Sequence, residues 1–234
     1  MIRQHDLNTR WWGTPTGIVD DAAFFALPDG ERAQALAPYG WAEFKSGLAA
    51  APPLAALARA GFFLADTQVT FRIALKDASS SCAENLAVCF ADEPGFSYSP
   101  EDLAPFAHER YAHLPGQTPE RLNARYAAWG GQLIRDYPET CLVVLSGGEV
   151  QGWFLSQPAA SGLNLTLAAA HRGARISGFT LYEKSLAAYA ARGYRIGAAS
   201  FSVTNTAVHN IYASLGARFT APVGIWLWIA PLKP

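Results

Sequence analysis

The 234-residue sequence predicts an α/β fold, a central mixed and mostly antiparallel twisted sheet flanked by helices, preceded by a small reduced α/β domain. Three observations predict it. Two apolar runs, CLVVLS from Cys141 and EVQGWFLSQ from Glu149, flank the pair Gly147-Gly148, which suits a tight hairpin. Two segments of helical spacing follow, each closed by a glycine, Gly193 and Gly216. A last run, Val223–Ile229, is rich in β-branched and aromatic residues and reads as a strand.

The elements follow in chain order. Within the first 75 residues, Trp11-Trp12-Gly13 and the turn-prone Pro28-Asp29-Gly30 separate short apolar stretches. Pro53 to Phe62 then runs helix, glycine, phenylalanine, and a strand is expected over Thr67–Leu75, much as His209 to Trp228 runs later. Leu57 stands four before Gly61 as Tyr212 stands four before Gly216. The two are either a half-repeat or two amphipathic helices alike by chance. Asp77–Glu84, polar and holding Ser79-Ser80-Ser81, is the expected linker, giving domains at 1–80 and 81–234. Helices are expected over Ser99–Tyr111 and Pro119–Tyr137, the first opened by Ser99 with Glu101 and Asp102 in its first turn. After the hairpin, Leu163–Leu167 alternates as a third antiparallel strand. Gly178–Arg192 carries Leu181, Leu186, Tyr189 and Ala190 at helical spacing. Tyr194–Val203 reads as strand and Thr206–Leu215 as helix.

Composition bounds the function. Half the residues are apolar, 16% are charged, and the formal net charge is -1, so a broad basic field for nucleic acid or an anionic membrane is excluded. Cys82, Cys89 and Cys141 have no CxxC spacing and are odd in number, which fits a reducing compartment; the N-terminus lacks the pattern of a secretory signal, and a cytoplasmic protein is expected. No metal-ligand spacing is legible among the five histidines, and GxSxG, GxxxxGK[ST] and GxGxxG are all missing. Trp11, Trp12, Trp226 and Trp228 suit a homodimer interface or a filled core equally.

Chemistry concentrates in two places. The strand ending at Ala168-Ala169-Ala170 turns through His171-Arg172-Gly173-Ala174-Arg175-Ile176-Ser177-Gly178 into a helix. Backbone N–H groups at a helix start, with two arginines beside them, suit a pyrophosphate, and small residues let a thin ligand lie along the strand. Further on, Asn205, His209 and Tyr212 are spaced by four and three and share one helix face. Asn205 as a plain helix cap and Tyr212 as a core residue account for the same spacing.

Together the two pieces resemble the GNAT N-acetyltransferases, whose pattern runs from a strand into an R/Q-x-x-G-x-G/A loop and later N-x-x-A-x-x-L-Y-x-x-x-G-F. Arg172 to Ser177 falls on the loop; Asn205, Val208, Ile211, Tyr212 and Gly216 fall on the second pattern, with Phe219 slightly late. The resemblance implies acetyl-CoA as co-substrate and a small-molecule amine as acceptor. It implies cofactor contacts at Leu167, Ala168, Ala169, Ala170, Arg172, Gly173, Ala174, Arg175, Ile176, Ser177, Gly178, Asn205 and Ile211, a strand N–H that polarises the thioester, and Tyr212 as general acid to the departing thiolate. Arg175 and Ser177 depart from the loop's glycine and glycine or alanine. An arginine at φ > 0 is strained, so the expectation is an altered loop or a register shifted to Arg175–Gly178. A non-catalytic GNAT-fold ligand-binding or assembly module is the alternative. More loosely, the chain resembles the dTDP-fucosamine acetyltransferases, which implies a nucleotide-linked amino sugar as acceptor. On that resemblance Phe106–His113 borders the amine, with Tyr111 and Asn164 as substrate residues; His108, Glu109 and His113 lie in the region of a base, and none is assigned.

Overall fold

A computed structural model describes residues 1–75, 85–106, 108 and 110–231. The expected linker, the domain boundary at 80/81, Cys82 and Glu109 lie outside the described residues. In chain order the elements are β1 (Ile2–Gln4), α1 (Asp6–Trp12), β2 (Thr16–Val19), α2 (Asp29–Leu36), β3 (Trp41–Gly47), α3 (Leu54–Arg59), β4 (Phe63–Ala74) and β5 (Leu86–Phe90). There follow α4 (Pro119–Asp136), β6 (Cys141–Ser146), β7 (Glu149–Ala159), β8 (Gly162–Ala170), α5 (Gly178–Ala191), β9 (Ile196–Ser202), α6 (Thr206–Ser214), β10 (Arg218–Phe219) and β11 (Val223–Ile229). Among the described residues no helix is long and apolar enough to cross a membrane.

Contacts divide the chain into two compact units, one of Met1–Val69, Arg110–Gln117 and Ala221–Pro234, the other of Thr70–Glu109 and Thr118–Thr220. In the first, the strand order is β1-β2-β3-β11-β4. Here β2 and β3 run parallel and pair along all of β2, from Thr16↔Trp41 to Val19↔Phe44. Phe24, Phe44, Leu57 and Trp226 fill its core, with exposures of 0 to 3%. Burying each such side chain stabilises by roughly 1.5–3 kcal/mol before entropy is counted.

In the second unit the order is β4-β9-β8-β7-β6-β5, with β10 on β4. The expected hairpin forms across Gly147 and Gly148, both at positive φ (57 and 86), where a Cβ would be strained. One layer packs Phe71, Phe154, Leu163, Leu165 and Tyr212 with α5 and α6 residues; another packs Val143, Trp153, Leu155, Leu167 and Ala169 with α4 residues. The switch of layer along β8 has a cause. Leu155 pairs with Leu167 but Gln157 with Asn164, so Leu165 and Thr166 together oppose Ser156, a β-bulge that turns the following side chains over.

Helices start and stop where their caps dictate. Thr118, Ser177 and Asn205 accept backbone N–H bonds from Arg121, Thr180 and Val208 at the starts of α4, α5 and α6. The stops of α3 and α6 match: Phe62 N–H donates to the Leu57 carbonyl after Gly61 (φ 77), and Ala217 N–H donates to the Tyr212 carbonyl after Gly216 (φ 82), at 2.9 Å in both.

The helix expected over Ser99–Tyr111 does not form. Among the described residues only short 3-10 turns occur there, at Pro100–Asp102 and Arg110–His113. Pro105 has no N–H and pushes Ala104 out of the helical region. Leu103 and Ala104 instead extend along the end of β8: Ala104 N–H donates to the Ala170 carbonyl (2.9 Å) and Arg172 N–H to the Asp102 carbonyl (2.8 Å).

Candidate active site

The site is built on the way β8 and β9 part. Their parallel ladder holds only two residue pairs, Leu163↔Gly197 and Asn164↔Ala198. Beyond these, β8 continues to Ala170 and β9 to Ser202 without pairing to each other. Parallel strands normally bond all along their shared length, so a gap of this kind leaves backbone groups that need another partner. Because the Ala170 carbonyl is turned to Ala104 on this edge, the period of two turns Ala168 toward the same edge. Ala168 and Ala170 are half-buried and small, so their own side chains take up little of this gap.

At the mouth of the slot the turn Arg172–Ser177 leads into α5. Its first half is closed on its own chain. Gly173 N–H donates to His171 Nδ1 (2.9 Å), Ala174 N–H to the His171 carbonyl (3.0 Å), and Arg175 N–H to Gln151 Oε1 (2.8 Å). Its second half is open: the N–H groups of Ile176, Ser177, Gly178 and Phe179 have no partner among the described residues. They open a helix of 14 residues whose dipole favours an anion there. No described non-glycine residue has positive φ, so the strain expected of Arg175 is absent, and Ser177 stands as the N-cap of α5. The arginine side chains are committed elsewhere in part: Arg172 Nε donates to the Leu103 carbonyl (3.0 Å), and Arg175 pairs with Glu149 (3.1 Å) at the exposed surface. Ile211 reaches the helix start, since a Cβ on Gly178 would lie 3.2 Å from its Cδ1.

Tyr212 lies beneath β9. It is 4% exposed, its ring 3.9 Å from Phe71 between centroids, stacked with Phe201 and edge-on to Tyr182. Its hydroxyl has no hydrogen-bond partner among the described residues. Burial pushes the phenol well above its ordinary value, as it does for Tyr182, because the apolar surroundings cannot solvate a phenolate. Asn205 caps α6 through Oδ1 to Val208 N–H (3.2 Å).

Asn164 sits where the ladder ends and lines a cavity of about 320 Å³ with Thr70, Ser161 and Ser200. His108 Nδ1 and Thr204 Oγ1 are 2.9 Å apart, and Thr204 in turn bonds Ser202 at the end of β9 (2.8 Å). Tyr111 lies inside the first unit, 1% exposed, its ring against Trp12 and Trp41. Its hydroxyl donates to Glu43 (3.2 Å) and accepts from Asn8 (3.1 Å) and Arg110 (2.9 Å), while Arg110 also pairs with Glu43 at 2.8 Å. Burial raises the Glu43 carboxyl, but the Arg110 charge and these hydrogen bonds outweigh it and hold the group below its usual range. Gln151 and Asp102 were not legible as functional residues, and the structure brings both to the turn; His171 was legible as part of the turn but not as an acceptor within it.

No family model matches the sequence, and no curated protein matches it. Solved structures do. A GCN5-related N-acetyltransferase from Sphaerobacter thermophilus superposes at TM-score 0.54 and 17% identity over 81% of this chain, which spans only 59% of that protein. A tandem GNAT protein from the clavulanic acid biosynthesis pathway matches 95% of this chain and 77% of its own length at TM-score 0.56 and 14% identity. A GCN5-related N-acetyltransferase from Kribbella flavida matches 93% and 82% at TM-score 0.53 and 12% identity. These likenesses, with the parted strands and the turn between them and the helices, give the chain the GNAT fold.

Proposed function

We propose that the chain transfers an acetyl group from acetyl-CoA to the primary amine of a small molecule, with a nucleotide-linked amino sugar as the acceptor class. The observation that carries this reading is the β8–β9 ladder that ends after two pairs, with the N–H groups at the start of α5 unpartnered among the described residues and Tyr212 packed on Phe201 of β9. Acetyl-CoA would supply an activated thioester. The N–H groups of Ile176, Ser177 and Gly178, with Arg172 and Arg175 nearby, suit its pyrophosphate, in the register shifted toward Arg175–Gly178. Leu167 to Ala170 offer a narrow wall and the Ala168 edge offers an N–H to a carbonyl oxygen. Tyr212, held protonated by burial, can donate a hydrogen bond to sulfur. The acceptor side rests on Asn164 and its cavity rather than on the enclosed Tyr111.

We also infer that the first unit is a reduced half-repeat, supported by the matching stops of α3 and α6 and by the likeness to a tandem GNAT protein. Its β2 pairs with β3 along its whole length, so these two strands leave no comparable gap. One observation favours a second reading, a GNAT-fold binding or assembly module: the N–H groups of residues 172–175 are already satisfied by the chain itself. Titration calorimetry with acetyl-CoA separates the two. Binding is expected; no heat up to millimolar ligand removes the transferase reading.

A further inference from the structure

The closed half of the turn rests on two side chains outside it. Gln151 is 1% exposed and bonds the turn twice, its carbonyl oxygen accepting from His171 N–H (3.0 Å) and its Oε1 from Arg175 N–H (2.8 Å). Its own Nε2 donates to the Glu149 carbonyl (3.1 Å), which fixes which amide atom faces Arg175. His171 folds back so that Nδ1 accepts from Gly173 N–H (2.9 Å), and its other nitrogen, Nε2, lies 3.7 Å from Asp102 Oδ2. Trp153 lies 6.0 Å from the imidazole between ring centroids.

We propose that Gln151 and His171 are positioning residues that hold residues 172–175 so that the N–H groups of Ile176 to Phe179 converge on an anion, and that protonation of His171 releases this hold. The inference rests on the acetyl-CoA reading above. Neutral imidazole with its proton on Nε2 presents a lone pair at Nδ1, as the Gly173 bond requires. The imidazolium carries a proton on both nitrogens, so Nδ1 can no longer accept and turns a hydrogen toward the Gly173 N–H. The charged and polar groups that face the ring are Asp102 at Nε2, the Gly173 N–H at Nδ1 and Arg172 next in the chain, with Arg175 of the same turn paired to Glu149. Acid therefore loosens the turn and weakens anion binding, the reverse of what simple added positive charge would do.

The test is the affinity of the full chain for acetyl-CoA by calorimetry at pH about 8 and about 5.5, each compared with a variant that does not titrate at this position. His171→Asn keeps an oxygen that can accept from the N–H two residues on but does not titrate. It should match the unaltered chain at the higher pH and retain that affinity at the lower. The unaltered chain should weaken by about tenfold more than His171→Asn between the two, the worth of one hydrogen bond. His171→Ala should be weak by a similar factor at both. The titration of the cofactor's own phosphates is common to all three and cancels. Gln151→Met, near-isosteric and apolar, should weaken binding at both pH values while keeping the slope. If His171→Asn shows the slope of the unaltered chain, the proposal is overturned while the cofactor reading stands; if the unaltered chain binds no acetyl-CoA at either pH, both fall.

Discussion

Replacing Tyr212 by phenylalanine separates chemistry from packing. The ring touches Phe71, Phe201 and Tyr182, and all three contacts survive loss of the hydroxyl. That hydroxyl has no partner among the described residues, so its removal orphans nothing. Stability should change by less than about 0.5 kcal/mol, against about 3–5 kcal/mol for Tyr212→Ala, which empties the space between α6 and β9. Turnover should fall by about 10²–10⁴, equivalent to roughly 3–5 kcal/mol on the barrier, with acetyl-CoA affinity unchanged. Burial holds the phenol well above its ordinary value, so the unaltered chain should show no loss of rate from Tyr212 ionising across the neutral and mildly alkaline range. Thiol release from acetyl-CoA, measured over a panel of primary amines that includes nucleotide amino sugars, gives turnover; calorimetry gives affinity; urea midpoints give stability. Unchanged turnover removes Tyr212 from the acid role. A large loss of stability would instead show that the hydroxyl has a structural partner.

Two further outcomes test the framework around the site. Glu43→Gln should destabilise the chain by about 1–3 kcal/mol, since Arg110 keeps its charge beside a neutral partner. Because the folded Glu43 carboxyl is held below its unfolded value, its contribution is present above the unfolded pKa and is lost as pH falls through the folded one; the substitution should matter at neutral pH and fade in acid, read from urea midpoints. Gly162→Ala should cost about 2–4 kcal/mol, because Gly162 has φ +136 and an added Cβ would lie 2.1 Å from the Ile196 carbonyl oxygen. Thermal melts of that variant that match the unaltered chain would place the start of β8 elsewhere.

Legibility in the sequence followed the strength of local signals. The elements from Pro119 onward read well because they are long, alternating or capped: β11 falls over Val223–Ile229 as expected, and α4, α5 and α6 within a residue or two. The first unit reads poorly because β1 and β2 are three and four residues long, too short for a period to show. Ser99–Tyr111 carries helix-start signals, yet Pro105 and the bonding needs of the β8 edge decide its backbone. Tyr212 and the turn after Ala170 were legible as a motif, and Asn205 as a cap. Gln151 was not, because its role comes from where the start of β7 meets the turn, which no spacing along the chain encodes; His171 stood within the legible turn, but its bond to the Gly173 N–H two residues on was not read.

The extra residue in β8 has a consequence for how this protein can vary over time. Leu163 and Leu165 serve one hydrophobic layer while Leu167 and Ala169 serve the other, and only the two-against-one arrangement opposite Ser156 makes that division. Exchanging one aliphatic side chain for another there alters volume. Removing or adding a single residue would send every following side chain to the wrong layer and shift the Ala168 edge out of the slot. Along this strand, drift in residue identity is tolerable and drift in length is not.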